Sequence, residues 1–153
     1  MTQSPDVLAP PEIVDRPFGS FRVGETASLA HEVTAQMIDQ FAAVSGDRNP
    51  LHTSDDYART TRYQRRVAHG LLASSPISAL AGHLLPGKRC VLLEVSARFS
   101  HPVFPGDRLT YRGTITHLSE AMRVLRVDVQ VTNQDGVVVL KGAYQAQVLE
   151  GSS

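Results

Sequence analysis

Gly70-Leu71-Leu72-Ala73-Ser74-Ser75-Pro76-Ile77-Ser78-Ala79-Leu80-Ala81-Gly82-His83-Leu84-Leu85-Pro86-Gly87 is the stretch that decides the fold. Its apolar run is interrupted by serines, Pro76, Gly82 and His83, and it falls short of the ~20 residues a membrane-spanning helix needs. It therefore reads as a buried core helix from about Gly70 to Leu84. Pro76 inside it deletes the hydrogen bond to the carbonyl of Leu72, which predicts a kink unless a local widening absorbs it. Pro86 and Gly87 stop the helix, and beyond them the apolar period changes from about 3.6 to 2. Val91, Leu93, Val95, Ala97 and Phe99 alternate with polar or wetter positions, predicting a strand with one buried face. Leu109, Tyr111, Gly113 and Ile115 repeat the pattern, as do Leu125, Val127, Val129 and Val131. A turn at Asn133-Gln134-Asp135-Gly136 leads to a last strand over Val137 to Leu149.

Working toward the N-terminus, Thr34 can cap a helix whose apolar residues Met37, Ile38, Phe41, Ala42 and Val44 recur every three to four positions, ended by Ser45 and Gly46. A short helix capped by Ser54 follows, with Asp55 and Asp56 at its positive end. Phe18 to Val33 reads as a strand region broken at Gly19 and Gly24. Residues 1–17 hold four prolines, Pro5, Pro10, Pro11 and Pro17, and no hydrophobic period, predicting a mobile tail or an extended arm packed on the surface. The order is thus a tail over 1–17 and one domain over 18–150, α+β in class, with a long central helix across a curled antiparallel sheet.

Composition narrows the function. The 153 residues suit one domain, and 15 Lys plus Arg balance 15 Asp plus Glu, so the basic footprint of a nucleic-acid binder is missing. Hydrophobic residues at 42% supply a core that needs no metal or disulfide staple. The single Cys90 has no partner for a bridge, and the start of the chain lacks a basic and apolar leader pattern, so a cytoplasmic protein with no membrane segment is expected.

The chemistry-bearing stretch is Ser45-Gly46-Asp47-Arg48-Asn49-Pro50-Leu51-His52. Five residues rotate by about 500° on a helix and span about 16 Å when extended, so only a turn brings Asp47 and His52 together. Gly46, Asn49 and Pro50 specify such a turn. An ionised Asp beside a neutral His suits the handling of one water molecule. The same residues also suit a helix C-cap followed by an Asx-type turn that His52 merely covers.

Phe41 to His52, followed by His69-Gly70 at the start of the helix, resembles the MaoC-like, (R)-specific enoyl-CoA hydratase family. The likeness extends over roughly residues 18 to 148 and includes Leu85-Pro86-Gly87-Lys88 and His101-Pro102-Val103-Phe104-Pro105-Gly106-Asp107. The resemblance implies a hot-dog fold, in which a sheet wraps a central helix, and a homodimer. It implies that Asp47 and His52 activate water and that the Gly70 N–H binds the thioester oxygen. The expected reaction is addition or removal of water at a 2-enoyl or (R)-3-hydroxyacyl thioester. The expected cofactor is none, with coenzyme A or phosphopantetheine entering as part of the substrate.

Supporting residues follow from position. Asn49 is expected to hold the turn, Ser75 to bond either Asp47 or a helix carbonyl, and His69 to be a packed or capping residue rather than an acid or ligand. His31, His83, His101 and His117 are scattered without metal-ligand spacing, so no metal is expected. Arg59, Arg62, Arg65 and Arg66 form a run just before the central helix. Such a run is either a solvated face or a dock, chiefly through Arg62, Arg65 and Arg66, for coenzyme A phosphates or an acidic acyl carrier protein. Lys88 and Arg89 are weaker candidates. Two rival functions remain. Hot-dog thioesterases usually carry a catalytic carboxylate on the central helix, and Gly70 to Leu84 has no Asp or Glu. A non-catalytic acyl-thioester-binding or dimer-partner subunit is opposed only by the intact Asp47 and His52.

Overall fold

Thr34 sits in extended backbone and its hydroxyl accepts the Met37 N–H at 3.1 Å, which opens α1 (Ala35–Ser45). Gly46, at φ 79°, closes it by donating its N–H to the Ala42 carbonyl. Asn49 then accepts the Leu51 N–H, Pro50 takes the first position of α2 (Pro50–Thr53), and Ser54 caps α3 (Asp55–Arg59). These capped turns are short because each has a built-in start and stop. The computed structural model describes residues 11–151.

The expected long central helix is broken into α4 (Gly70–Ser74), α5 (Ile77–Ala79) and a π-helical turn over Leu80–Leu84. Pro76 is the cause. The Leu72 carbonyl, which loses its helical donor, instead accepts the Ser75 N–H at 3.1 Å and the Ser75 hydroxyl at 2.7 Å. The chain then resumes with Leu80 N–H on the Pro76 carbonyl and widens, Leu85 N–H reaching back to Leu80. The helix is therefore interrupted at Pro76 and widened beyond it. Two buried phenols hold this segment to the sheet, Tyr111 donating to the Ala73 carbonyl and Tyr144 to the Leu85 carbonyl. Burial pushes both hydroxyls well above the ordinary tyrosine range, so they remain donors.

The strands are β1 (Thr26–Glu32), β2 (Cys90–Phe99), β3 (Arg108–Ser119), β4 (Val124–Thr132) and β5 (Val138–Val148). They form one antiparallel sheet in the order β1-β3-β4-β5-β2, with pairings such as Leu29 to Tyr111 and Val127 to Tyr144. Alternation on β3 and β4 buries Leu109, Tyr111, Ile115, Val127, Val129 and Val131 against Ile38, Ile77, Leu80 and Ala81. The fold is α+β, as the order of elements predicts. β2 departs from expectation. It lies at the sheet edge, paired only with β5, and only Cys90 and Ala97 pack on the core, while Leu93 and Phe99 are 52% and 49% exposed. Alternation records which residues share a face, and it carries no information on whether this chain covers that face.

Residues 11–17 run as an extended arm beside the end of the π turn; residues 1–10 of the segment read as a tail lie outside the described residues. Val14 donates to the His83 carbonyl and accepts the Lys88 N–H, both at 2.9 Å, while Asp15 pairs with Arg89 and Lys88. Among the described residues no helix is long and apolar enough to cross a membrane.

Candidate active site

The turn read from Gly46, Asn49 and Pro50 brings Asp47 to His52. Asp47 Oδ1 accepts the Asn49 N–H at 3.1 Å, and the Asp47 N–H donates to the Ser45 hydroxyl at 3.1 Å. This leaves Asp47 Oδ2 facing His52 Nε2 at 3.9 Å, with the carboxylate side chain half exposed. The gap is too long for a direct hydrogen bond. A water bonded to both atoms at about 2.8 Å would subtend about 90° between them, an angle a water accepts.

His52 is fixed by a contact that sequence reasoning missed. Its Nδ1 lies 2.6 Å from the Val67 carbonyl, which can only accept, so Nδ1 carries a proton and, in the neutral imidazole, Nε2 is the bare nitrogen that faces Asp47. Val67 is itself tied back, its N–H donating to the Leu51 carbonyl. A main-chain carbonyl fifteen residues away leaves no signal in composition or spacing.

His69 is buried, its Nε2 3.0 Å from the Asp47 carbonyl and its ring stacked on His52 at 3.9 Å between centroids. Phe41 meets the same ring at 4.9 Å. Ligand atoms of Asp47, His52 and His69 lie within 4.8 Å of one another, a grouping a metal ion could use, although Nδ1 of His52 and Nε2 of His69 are already committed to carbonyls. His31, His83, His101 and His117 stand outside this cluster.

Gly70 begins α4 and, among the described residues, its N–H has no hydrogen-bond partner. A Cβ there would lie 3.1 Å from the Phe99 ring, so only glycine leaves this approach open without displacing the ring. His52 and Gly70 both line a cavity of about 440 Å³ with apolar walls that include Ala73, Val103 and Leu140. Arg62 and Tyr63 also line this cavity; Asp47 is not among its lining residues and stands behind His52 at 3.9 Å.

The remaining expected residues fall apart into separate groups. The Ser75 hydroxyl donates to Leu72 and does not bond Asp47. Asn49 caps α2. Arg66 differs from its neighbours in that its guanidinium pairs with Asp55 at 3.1 Å and Asp39 at 3.2 Å, and its side chain is only 15% exposed. The run of arginines displays charge, whereas those partners stand 11 and 27 positions away in the chain. Arg65 lies over the Phe104 ring at 3.8 Å, and Arg62 over Tyr63 at 4.9 Å. Lys88 and Arg89 are engaged by Asp15.

Comparison with known proteins extends the sequence resemblance. The family model described as "MaoC like domain" matches residues 22–138. The (R)-specific enoyl-CoA hydratase of Aeromonas caviae is 37% identical over 123 residues, 80% of this chain and 92% of that protein. The 3-hydroxybutyryl-CoA dehydratase of Methylorubrum extorquens is 33% identical over 129 residues, 84% of this chain and 82% of its own length. Among solved structures, the A. caviae (R)-hydratase involved in PHA biosynthesis superposes with a TM-score of 0.82 at 35% identity, covering 85% of this chain and 98% of that one. An unliganded (R)-hydratase from Pseudomonas aeruginosa gives the same TM-score of 0.82 at 32% identity, covering 90% and 92%. These relatives share the open five-stranded hot-dog architecture described above. The match over residues 22–138 and these identities make the chain a member of the MaoC-like family.

Proposed function

We propose that this chain is a hydro-lyase that adds water to a 2-enoyl thioester, or removes it from an (R)-3-hydroxyacyl thioester, with Asp47 and His52 holding the water. The reaction class rests on relatives that are hydratases and a dehydratase. The observation that carries the assignment of residues is the 3.9 Å opening between Asp47 Oδ2 and His52 Nε2, with His52 lining the same cavity as Gly70. Asp47 takes a proton from the water as its oxygen bonds to C3. Bare His52 Nε2 orients the water, and the pair returns a proton to C2. Such acid–base work is worth about 10² to 10⁴-fold. Enolate charge develops on the thioester oxygen, and the free Gly70 N–H is placed to donate to it; one such donor is worth about 10² to 10³-fold. Microscopic reversibility gives the same groups the dehydration.

The apolar cavity suits an acyl chain, and Arg62 beside it suits a phosphate of coenzyme A or of a carrier-bound phosphopantetheine, with Arg65 nearby as a second cation. The chain needs no further cofactor for this chemistry. The bare edge of β2 suits a second copy of this chain, because an exposed apolar edge strand invites strand pairing, so we assign a homodimer. The free Cys90 thiol suits a reducing cytoplasm. A thioesterase reading lacks its carboxylate on the Gly70–Leu84 segment.

The test is loss of the conjugated-thioester absorbance of crotonyl-coenzyme A, with wild type beside Asp47→Asn. Wild-type turnover, slowed at least ~10²-fold by the substitution, is the expected result. An active Asp47→Asn enzyme would overturn the assignment of the base. A wild type inert on both coenzyme A and carrier-protein thioesters would favour the non-catalytic reading.

A further inference from the structure

We propose that His69 is a positioning residue, its Nε2–H tethering the main chain of Asp47 while its ring sets the plane of His52. The inference rests on the hydratase reading above and adds a part to it. The turn that carries Asp47 is almost wholly self-contained. Its hydrogen bonds run from Asp47 to Ser45, from Asn49 to Asp47, and from residues 51–53 back to 48 and 49. Among the described residues, the 3.0 Å bond from His69 to the Asp47 carbonyl is the only hydrogen bond joining residues 46–49 to any segment outside 41–53. Everything else that locates the carboxylate is local and half exposed.

The tautomer follows from the partner. A carbonyl oxygen only accepts, so the proton of His69 sits on Nε2. Nδ1 is then a bare acceptor, and it is buried without any hydrogen-bond partner. An unsatisfied buried acceptor costs stability, so for packing alone a phenyl ring of similar shape would serve better. What the imidazole supplies and a phenyl does not is a single N–H aimed at Asp47. The same ring lies face to face with His52 at 3.9 Å and 28°, on which its flat face limits rotation about the Val67 bond. His69 also directly precedes Gly70. One side chain thus fixes the acid and the imidazole relative to the helix start that carries the oxyanion donor, and a misplacement of about 1 Å in such a constellation costs about 10²-fold.

Two variants and one spectrum test this. His69→Phe keeps the stacked ring and removes the donor; His69→Gln places an amide N–H where Nε2 stands and removes the ring. On an enoyl-coenzyme A substrate His69→Phe is expected to lower kcat about 30- to 100-fold with KM within about 3-fold of wild type, and His69→Gln to recover at least about 5-fold of that loss. Wild-type kcat in His69→Phe, or a Gln variant no better than Phe, would overturn the tether. Nitrogen-15 spectra of the wild-type imidazoles at neutral pH are expected to show His69 protonated at Nε2 and bare at Nδ1; the opposite tautomer would overturn the proposal even if neither variant folds. A wild type that turns over no thioester would instead sink the hydratase reading, and with it any positioning role, while leaving the tautomer as found, so the two failures are separable.

Discussion

Gly87→Ala is expected to destabilise the fold through the N-terminal arm. Gly87 has φ 95°, and a Cβ there would stand 2.4 Å from the Val14 carbonyl and 2.6 Å from Val14 Cγ2. The left-handed backbone costs a non-glycine residue about 1–2 kcal/mol. The carbonyl it strikes is backbone and cannot rotate aside, so the arm must lift. That breaks the Val14 bond to His83 and the Lys88 bond to Val14, each worth about 0.5–1.5 kcal/mol net. The expected loss is about 2–5 kcal/mol, or a Tm lower by roughly 4–20 °C for a chain of this size. Gly136→Ala is the control, since Gly136 has φ 74° but nothing within 4 Å of its Cβ site. It should show the backbone cost alone, about 1–2 kcal/mol. Differential scanning calorimetry on both variants separates the two contributions. If Gly87→Ala melts no lower than Gly136→Ala, the arm does not hold the Pro86-Gly87 turn.

Burial holds the His31 imidazole below its ordinary value of 6.5. The folded state therefore resists a proton that the unfolded chain accepts, and stability present above about pH 6.5 should decline as the pH falls below it. Denaturant titrations of wild type and His31→Gln check this; an unchanged slope between pH 5 and 7 in the variant would remove His31 as the cause. Leu93→Asp on the bare edge of β2 is expected to turn a homodimer into a monomer in sedimentation equilibrium, and a wild type that is itself monomeric, or a variant that stays dimeric, would place the assembly elsewhere.

The fold was legible where local chemistry and burial agree. Thr34, Gly46 and Ser54 mark helix ends by hydrogen bonds made within four residues, and β3 and β4 alternate because one of their faces meets this chain's own core. Pro76 announced a defect in the central helix, but its extent depends on Ser75 satisfying Leu72 and on Tyr111 and Tyr144 gripping from the sheet, contacts that only the fold creates. β2 misled because its apolar alternation is real, yet the described residues leave most of it uncovered. In the site, Asp47 and His52 stood out through the turn between them. The Val67 carbonyl that orients His52 left no trace, since any residue carries one. The ion pairs of Arg66 left no trace either, because Asp39 and Asp55 are distant in sequence.

In the proposed reaction, water held by Asp47 and His52 is delivered to C3 of an intact thioester. The most direct measurement is turnover of an enoyl-coenzyme A in oxygen-18 water, followed by mass spectrometry. One heavy oxygen is expected in the 3-hydroxyacyl chain with the thioester unbroken, with at least ~10²-fold less label for Asp47→Asn. Heavy oxygen appearing in a free carboxylic acid, with coenzyme A released, would contradict this reaction and identify a thioesterase instead.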